Sequence, residues 1–267
     1  MVLIMKEEIN RKIEYSIVSR GTEKYGSKGY MGVTNSSDGK RIFVLSKHGV
    51  KYVSTYKDAM EFEDKYTIEN IALSRFELIS ELAINNVKSM IKDNILIAGF
   101  GNLGFSCLIY LLNNGYKNIN ILTRKISKFQ KEGLRRINNM YNIDIKFVND
   151  YKSYDTYIEA TGSSDVIKNI IEEANYKSTI ILLGMPKEET YLINPLDVAR
   201  GNLAIFGGHE LNGFTIEERK EIFIKLLNEN RSMDLKKFVN IYDYDENIVE
   251  KILEQKENFI EVIKYDI

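Results

Sequence analysis

The spacing of apolar positions changes along the chain, and each change marks a different kind of element. Within the first sixty residues, "KIEYSIVS" (12–19) and "KRIFVLSKHGVKYVSTY" (40–56) are rich in Ile, Val, Tyr and Phe, and the turn-rich "TNSSDGK" (34–40) separates them. β-Branched and aromatic runs bounded by Gly, Asn and Ser predict short strands. From Thr67 the period lengthens. Ile68, Ile71, Ala72, Phe76, Ile79, Leu82, Ala83, Val87 and Met90 recur at three- and four-residue steps, which predicts a helix with one apolar face.

Beyond residue 90, strand-like and helical stretches alternate. The strand-like ones are "NILIAGF", "NINILTR", "DIKFV", "YDTYIEAT", "STIILLG" and "LAIFGG"; helices are expected from about Leu103, near "ISKFQKEGLRRINNMY" and at "SDVIKNIIEEA". Such alternation implies crossover connections and a mainly parallel, doubly wound sheet with helices on both faces. The stretch "TIEERKEIFIKLLNEN" follows, opened by Thr215 and Glu218 at capping-box spacing. A helix near 246–255 and a strand at "FIEVIKYDI" close the pattern.

Composition narrows the choices. A chain of 267 residues, 44% hydrophobic and 28% charged, is long enough for one large domain or two smaller ones. The formal charge of -1, without a long single-sign run, supplies no basic face for nucleic acid or an anionic membrane. No apolar run approaches the roughly 20 residues that span a bilayer, and "MVLIMKEEIN" turns acidic too soon for a signal peptide. A cytoplasmic protein is expected. The single cysteine, Cys107, excludes an internal disulfide, and His48 and His209 are the only histidines. A structural zinc takes about four Cys or His ligands; two histidines and a carboxylate are the minimum for a catalytic zinc, and no metal site is expected.

The most informative stretch is Gly99-Phe100-Gly101-Asn102-Leu103-Gly104, which matches G-x-G-x-x-G between an expected strand and an expected helix. The first glycine permits a tight turn, the second admits a pyrophosphate to the backbone, and the third lets helix and strand pack closely. The helix start then offers N–H groups and a positive dipole end to phosphate. The plainer alternative is that these glycines serve packing alone. NAD sites usually carry Asp or Glu about 20 residues on. Here that place holds Thr123, followed by Arg124, Lys125 and Lys128. Cations favour a 2′-phosphate, so the expected cofactor is NADP(H), unless the loop is simply solvated.

The order of these parts resembles the medium-chain dehydrogenase/reductase family, relatives of the zinc-type alcohol dehydrogenases. The resemblance rests on "SRGTE", Gly29-Tyr30-Met31-Gly32-Val33, "GKRIFVLSKHGVKYV", "ILIAGFGNLG", "YIEATGSS", "TIILLGMP" and "LAIFGG", in order over nearly the whole chain. It implies a Rossmann domain, 86–211, inserted into a small, reduced β-rich catalytic domain made of 1–85 and 212–267, with nicotinamide and substrate in the cleft between. It implies that Thr161, Gly162, Gly184 and Met185 line the cofactor, and that a homodimer forms through an edge strand such as "LAIFGG". The zinc-ligand cysteine of the alcohol dehydrogenases falls at Arg20, the proton-relaying hydroxyl at Thr22 and the acidic residue after it at Glu23. Another zinc-ligand triplet falls at Gly29-Tyr30-Met31, and the cysteine-rich lobe has no counterpart. The chain is short for the family, chiefly before residue 90.

These departures imply a zinc-independent reductase, which passes hydride from NADPH to a polarised C=O, C=C or C=N bond of a small metabolite. Five residues can polarise or protonate a substrate. Arg20 offers a fixed charge, or forms a salt bridge, for instance with Glu23. Thr22 relays a proton or closes a turn. Tyr30 donates if a cation lowers its pKa, or packs as an aromatic. His48 titrates in a useful range, or lies exposed in a turn. His209 follows an expected strand at its carboxyl end, where open α/β sheets bind ligands, or caps the next segment. Two other functions fit the same residues: an NADP-dependent polyol or alcohol dehydrogenase, and a nucleotide-binding protein without catalysis.

Overall fold

A computed structural model describes residues 11–24, 26, 29, 31–53, 59–186, 193–208, 213–255 and 257–266. The described residues open with β1 (Arg11–Val18), a four-residue helix α1 (Arg20–Glu23), β2 (Gly32–Thr34), β3 (Lys40–Val44), β4 (Tyr52–Val53) and β5 (Met60–Glu63). Helix α2 (Ile68–Asn85) and a 3-10 turn at Lys88–Met90 come next. There follow β6 (Ile95–Ala98), α3 (Asn102–Asn113), β7 (Ile119–Leu122), α4 (Lys128–Tyr141), β8 (Lys146–Val148), β9 (Thr156–Glu159), α5 (Ser164–Glu173), β10 (Thr179–Leu182), α6 (Pro195–Gly201) and β11 (Ala204–Gly207). The chain ends with α7 (Ile216–Asn230), β12 (Val239–Asp243), α8 (Ile248–Glu254) and β13 (Ile260–Lys264). Its contacts divide it into two compact units, 1–72 with 215–267 and 73–214, so that α2 begins in one and ends in the other.

In the first unit the sheet runs β12-β13-β1-β2-β3-β5, with β4 also paired to β1. All of its pairs are antiparallel except β12 with β13. Alternation along β3 sorts the side chains by face. Ile42 and Val44 join Ile248 and Ile252 of α8 and Ile263 in one core cluster. Phe43 turns the other way, where Phe223 of α7 lies 6.0 Å from its ring and 5.6 Å edge-on from that of Phe62. The capping box read at Thr215 and Glu218 is present and starts α7.

The second unit is a six-stranded parallel sheet in the order β11-β10-β9-β6-β7-β8. Parallel strands covered on both faces read as unbroken apolar runs, and all four residues of β6 and of β9 are buried. The strand order reverses beside β6, and ligands bind at such a switch point, outside the carboxyl ends of the strands. The expected doubly wound sheet is therefore present.

Three features depart from the sequence pattern. The period that predicted one helix as far as Met90 ends at Asn85; Val87 is buried beyond it, but Met90 is 42% exposed. Nor is α2 buried on an apolar face alone, since Ser74, Arg75, Glu77 and Ser80 are buried as well. Helices α1 and α6 and strands β2, β5 and β12 had no expected counterpart. A four-residue helix is too short to show a period, α6 is announced only by its Asn194 cap and Pro195, and β12 alternates in burial without an apolar run.

The aromatic contact at Phe223 sets one expectation. Phe223→Ala should lower stability by about 3 kcal/mol or more, read by chemical denaturation, because the ring is fully buried between Phe43 and Phe62.

Candidate functional site

The carboxyl ends of β6, β7, β9 and β10 converge on one place in the second unit. Gly99 has φ +102°, where a side chain is strained, and a Cβ there would press on Thr161 Cγ2 at 2.7 Å and on the Ala160 carbonyl carbon at 3.2 Å. Its N–H donates to the Leu122 carbonyl at 2.8 Å, which ties the turn to the end of β7. Gly101 is the N-cap of α3, makes no side-chain cap and has open space where its Cβ would be. Asn102 and Leu103 form the first helical turn, and Gly104 lies so close to Gly99 that a Cβ would strike the Gly99 carbonyl oxygen. Each glycine thus does what the motif requires: turn, open approach, close packing.

The strand ends beside this turn are equally close. A Cβ on Gly184 would strike the amide nitrogen of Gly162, and one on Gly162 the carbonyl oxygen of Met185, itself 58% exposed. What folds the chain here is Glu159, the last residue of β9 and wholly buried. Its Oε1 accepts from the Thr161 N–H at 2.6 Å, from the Thr161 hydroxyl, and from the Gly162 N–H at 3.0 Å. Its own carbonyl accepts from Leu183 and Gly184. The structure thus brings Thr161, Gly162, Gly184 and Met185 together beside Gly99, but directs the polar hydrogens of Thr161 inward. Glu159 was not among the sequence candidates. A lone carboxylate ending a short strand of uncharged residues, Thr156 to Ile158, was the signal, since a buried charge needs partners.

After β7 the chain presents its cations. Thr123 is half-buried, and Arg124, Lys125 and Lys128 are exposed. None of the three cations has an ion-pair partner among the described residues, whereas Arg135 and Arg136, on the same α4, both pair with Glu132. Ser127 caps α4 through a full capping box with Gln130. Cys107, one turn into α3, is fully buried, and burial pushes its thiol up to about 12; it is a core residue.

A separate polar cluster lies in the first unit, around α1. The Arg20 guanidinium pairs with Glu261 of β13, whose side chain is wholly buried. Burial pushes that carboxyl up to about 7 from 4.5, against the opposing pull of Arg20. Glu23 is not the partner of Arg20. Its Oε1 accepts from the Ser19 N–H at 2.7 Å, and its Oε2 lies 3.0 Å from His48 Nε2. A carboxylate only accepts, so His48 donates from Nε2. The His48 side chain is 7% exposed and its ring packs on Gly29, where a Cβ would fall 2.6 Å from Nε2. The reading of His48 as an exposed turn residue is thereby corrected, because Glu23 draws the ring inward. Thr22 is half-buried, its hydroxyl 3.1 Å from that of Ser19. Tyr30 and His209 lie outside the described residues. Glu261 escaped the sequence reading, although "FIEVIKY" also sets a lone carboxylate in an apolar strand.

Among the described residues there is no group of three metal-ligating side chains and no helix long and apolar enough to cross a membrane. No family model and no curated protein matches the sequence. Solved structures match it in fold. L-Idonate 5-dehydrogenase from Escherichia coli str. K-12 substr. MG1655 is similar at a TM-score of 0.73 and 10% identity, over 96% of this chain and 91% of that one. 2R,3R-Butanediol dehydrogenase from Bacillus subtilis has a TM-score of 0.72 and 13% identity, over 100% and 94%. E. coli K-12 YHDH with bound NADPH has a TM-score of 0.70 and 12% identity, over 96% and 91%. At such identities the likeness speaks for the fold, and on that ground this chain has the medium-chain dehydrogenase/reductase fold of the zinc-type alcohol dehydrogenases and their relatives.

Proposed function

We propose that the protein is an NADP(H)-dependent oxidoreductase that works without zinc and reduces a polarised double bond of a small metabolite. The observation that carries the cofactor is the set of exposed cations, Arg124, Lys125 and Lys128, without an ion-pair partner among the described residues, following the strand next to the glycine-rich turn. The open backbone of Gly101 and the first turn of α3, Asn102 to Gly104, suit a pyrophosphate, and the cations beside Thr123 suit a 2′-phosphate. Thr161, Gly162, Gly184 and Met185 continue the same rim toward β10. When bound, NADPH supplies hydride. Solved relatives support the reading by their own contents: YHDH is described with NADPH, and the idonate and butanediol enzymes are dehydrogenases.

The donor set around α1 supports the zinc-free part. A dication would have to sit beside the Arg20 guanidinium, which already engages the Glu261 carboxylate; like charges at this range repel strongly in a buried site. Without a Lewis acid, polarisation of the substrate falls to hydrogen-bond donors and fixed charge. We assign Thr22 as the proton donor, with Ser19 behind its hydroxyl, and Arg20 as the fixed charge. His48, held by Glu23, positions the α1 segment. Tyr30 and His209 remain our further candidates in the sequence.

Three outcomes are expected. In thermal unfolding at equal concentrations, NADPH should stabilise more than NADH, since a site filled at a hundred times its Kd gains roughly 2.7 kcal/mol. Removing two of the three cations, as Arg124→Ala with Lys128→Ala, should weaken NADPH about tenfold or more and leave NADH unchanged in titration calorimetry. A wild type that binds neither nucleotide would defeat the reading. Gly104→Ala, which forces the Gly99 carbonyl aside, should cost about 1 to 3 kcal/mol of stability and lower the affinity for both nucleotides.

The pH dependence of stability follows from Glu261. Its native pKa, about 7, lies above the ordinary 4.5, so over that interval the folded chain holds a proton that the unfolded chain has released. The stability it contributes is complete below about pH 4.5 and is lost as pH rises through about 7. Glu261→Gln should flatten this part of the profile in urea titrations at about pH 5 and about pH 8; an unchanged slope would place the titration elsewhere.

A further inference from the structure

The glycine-rich turn and the cation loop are joined by one buried side chain. Gln130, the third residue of α4, is 8% exposed. Its Nε2 donates to the Phe100 carbonyl, inside the G-x-G-x-x-G turn, at 2.6 Å. Its Oε1 accepts from the Ser127 N–H at 3.0 Å and from the Ser127 hydroxyl at 3.1 Å. Both ends of this bridge are fixed. Phe100 is 2% exposed, its ring edge-on to Phe105 and to Phe147 at 6.5 and 5.7 Å. Ser127 closes the segment that carries Thr123, Arg124 and Lys125, and its cap also sets the start of α4 at Lys128.

Helix capping alone does not require an amide. At this position in a capping box the side chain only accepts, and Glu serves as well as Gln. The donation to Phe100 is what a carboxylate cannot supply. A primary amide does both, and it spans the two segments that the proposed cofactor would touch at different phosphates.

We propose that Gln130 is the positioning residue for dinucleotide selection: it fixes the cation loop relative to the glycine-rich turn, so that pyrophosphate and 2′-phosphate are engaged together. The inference rests on the reading of this rim as an NADP(H) site. Two linked contacts bind more tightly than two independent ones only when their spacing matches the ligand. Exposed Arg and Lys side chains also lose much rotamer freedom on binding, and a loop already in place limits that loss to the side chains. Gln130 touches neither phosphate; it acts through Phe100 and Ser127.

Three variants separate the bridge from the cap. Gln130→Glu keeps the cap acceptor and removes the donor to Phe100. Gln130→Leu removes both without adding a charge near the phosphates. Ser127→Ala removes the hydroxyl part of the cap and leaves the bridge in place. NADPH and NADH affinities of each, measured by fluorescence titration beside the wild type, give the selectivity ratio, with thermal unfolding recording the fold. Both Gln130 variants are expected to lose about tenfold of the NADPH preference, with NADH affinity much less affected, while Ser127→Ala keeps the wild-type ratio. A purely structural role would lower both affinities in step with Tm. Gln130 variants that keep the ratio, or a Ser127→Ala that loses as much of it, would overturn the assignment. Should Gln130→Leu fail to fold, Gln130→Met, uncharged, close to Gln in shape and unable to donate to Phe100, carries the test. A wild type that binds neither nucleotide overturns the site itself, and one that binds both equally overturns the role of the cations together with that of Gln130.

Discussion

At the carboxyl ends of β6, β9 and β10, backbone meets backbone more closely than a side chain allows. Gly104 abuts the Gly99 carbonyl and Gly184 the Gly162 amide, and the rest of the second unit is arranged to make this possible. Strands must be parallel and in register for their ends to lie side by side. Their flanks must be apolar on both faces, which Leu96, Tyr157 and Ile180 supply on one side and the buried Ile97, Ile158 and Ile181 on the other. The loops between must then satisfy their own amides, and the Glu159 carboxylate does so for Thr161 and Gly162. The result is a rim built almost wholly of main chain, with its chemistry delegated to the side chains that surround it.

The first unit solves a related problem with charge. Four ionisable or hydrogen-bonding side chains, Arg20, Glu23, His48 and Glu261, come together around a helix of only four residues. A helix so short has almost no stability of its own; it is held by what it presents. Glu23 is held by His48 and the Ser19 N–H and Glu261 by Arg20, which lowers the cost of burying these carboxylates, although at Glu261 burial still outweighs the pull of Arg20.

Much of this was legible in the sequence, and the parts that were not share a cause. The parallel sheet announced itself through apolar runs of the right length, and the glycine-rich turn through a motif whose every member has a steric reason. The cations after β7 stood out because a carboxylate was expected there. By contrast, the partner of Arg20 lies 241 residues away, and local pattern carries no trace of such a pairing; Glu23, close in sequence and opposite in charge, was the natural guess. Glu159 and Gln130 were hidden for another reason. Gln130 looks like an ordinary polar residue at the start of a helix, and the lone carboxylate that ends β9 hints at burial without naming its partners; only the structure shows that each serves several amides or carbonyls at once. The division within α2 is of the same kind, since a helix that passes from one unit to another keeps its period throughout.

The sheet of the first unit is assembled from both ends of the chain. β1 pairs with β13, Tyr15 opposite Lys264, and all of the second unit's strands are made between them. Pairings of such sequence separation form slowly, because the chain between must first be brought to heel entropically. During synthesis, β1 emerges first and yet waits the longest for its neighbour, while the parallel sheet has everything it needs beforehand. Order of manufacture and order of completion are thus reversed: β1 is made before the parallel sheet, yet on that side it stays unpaired until β13, made after the sheet, arrives.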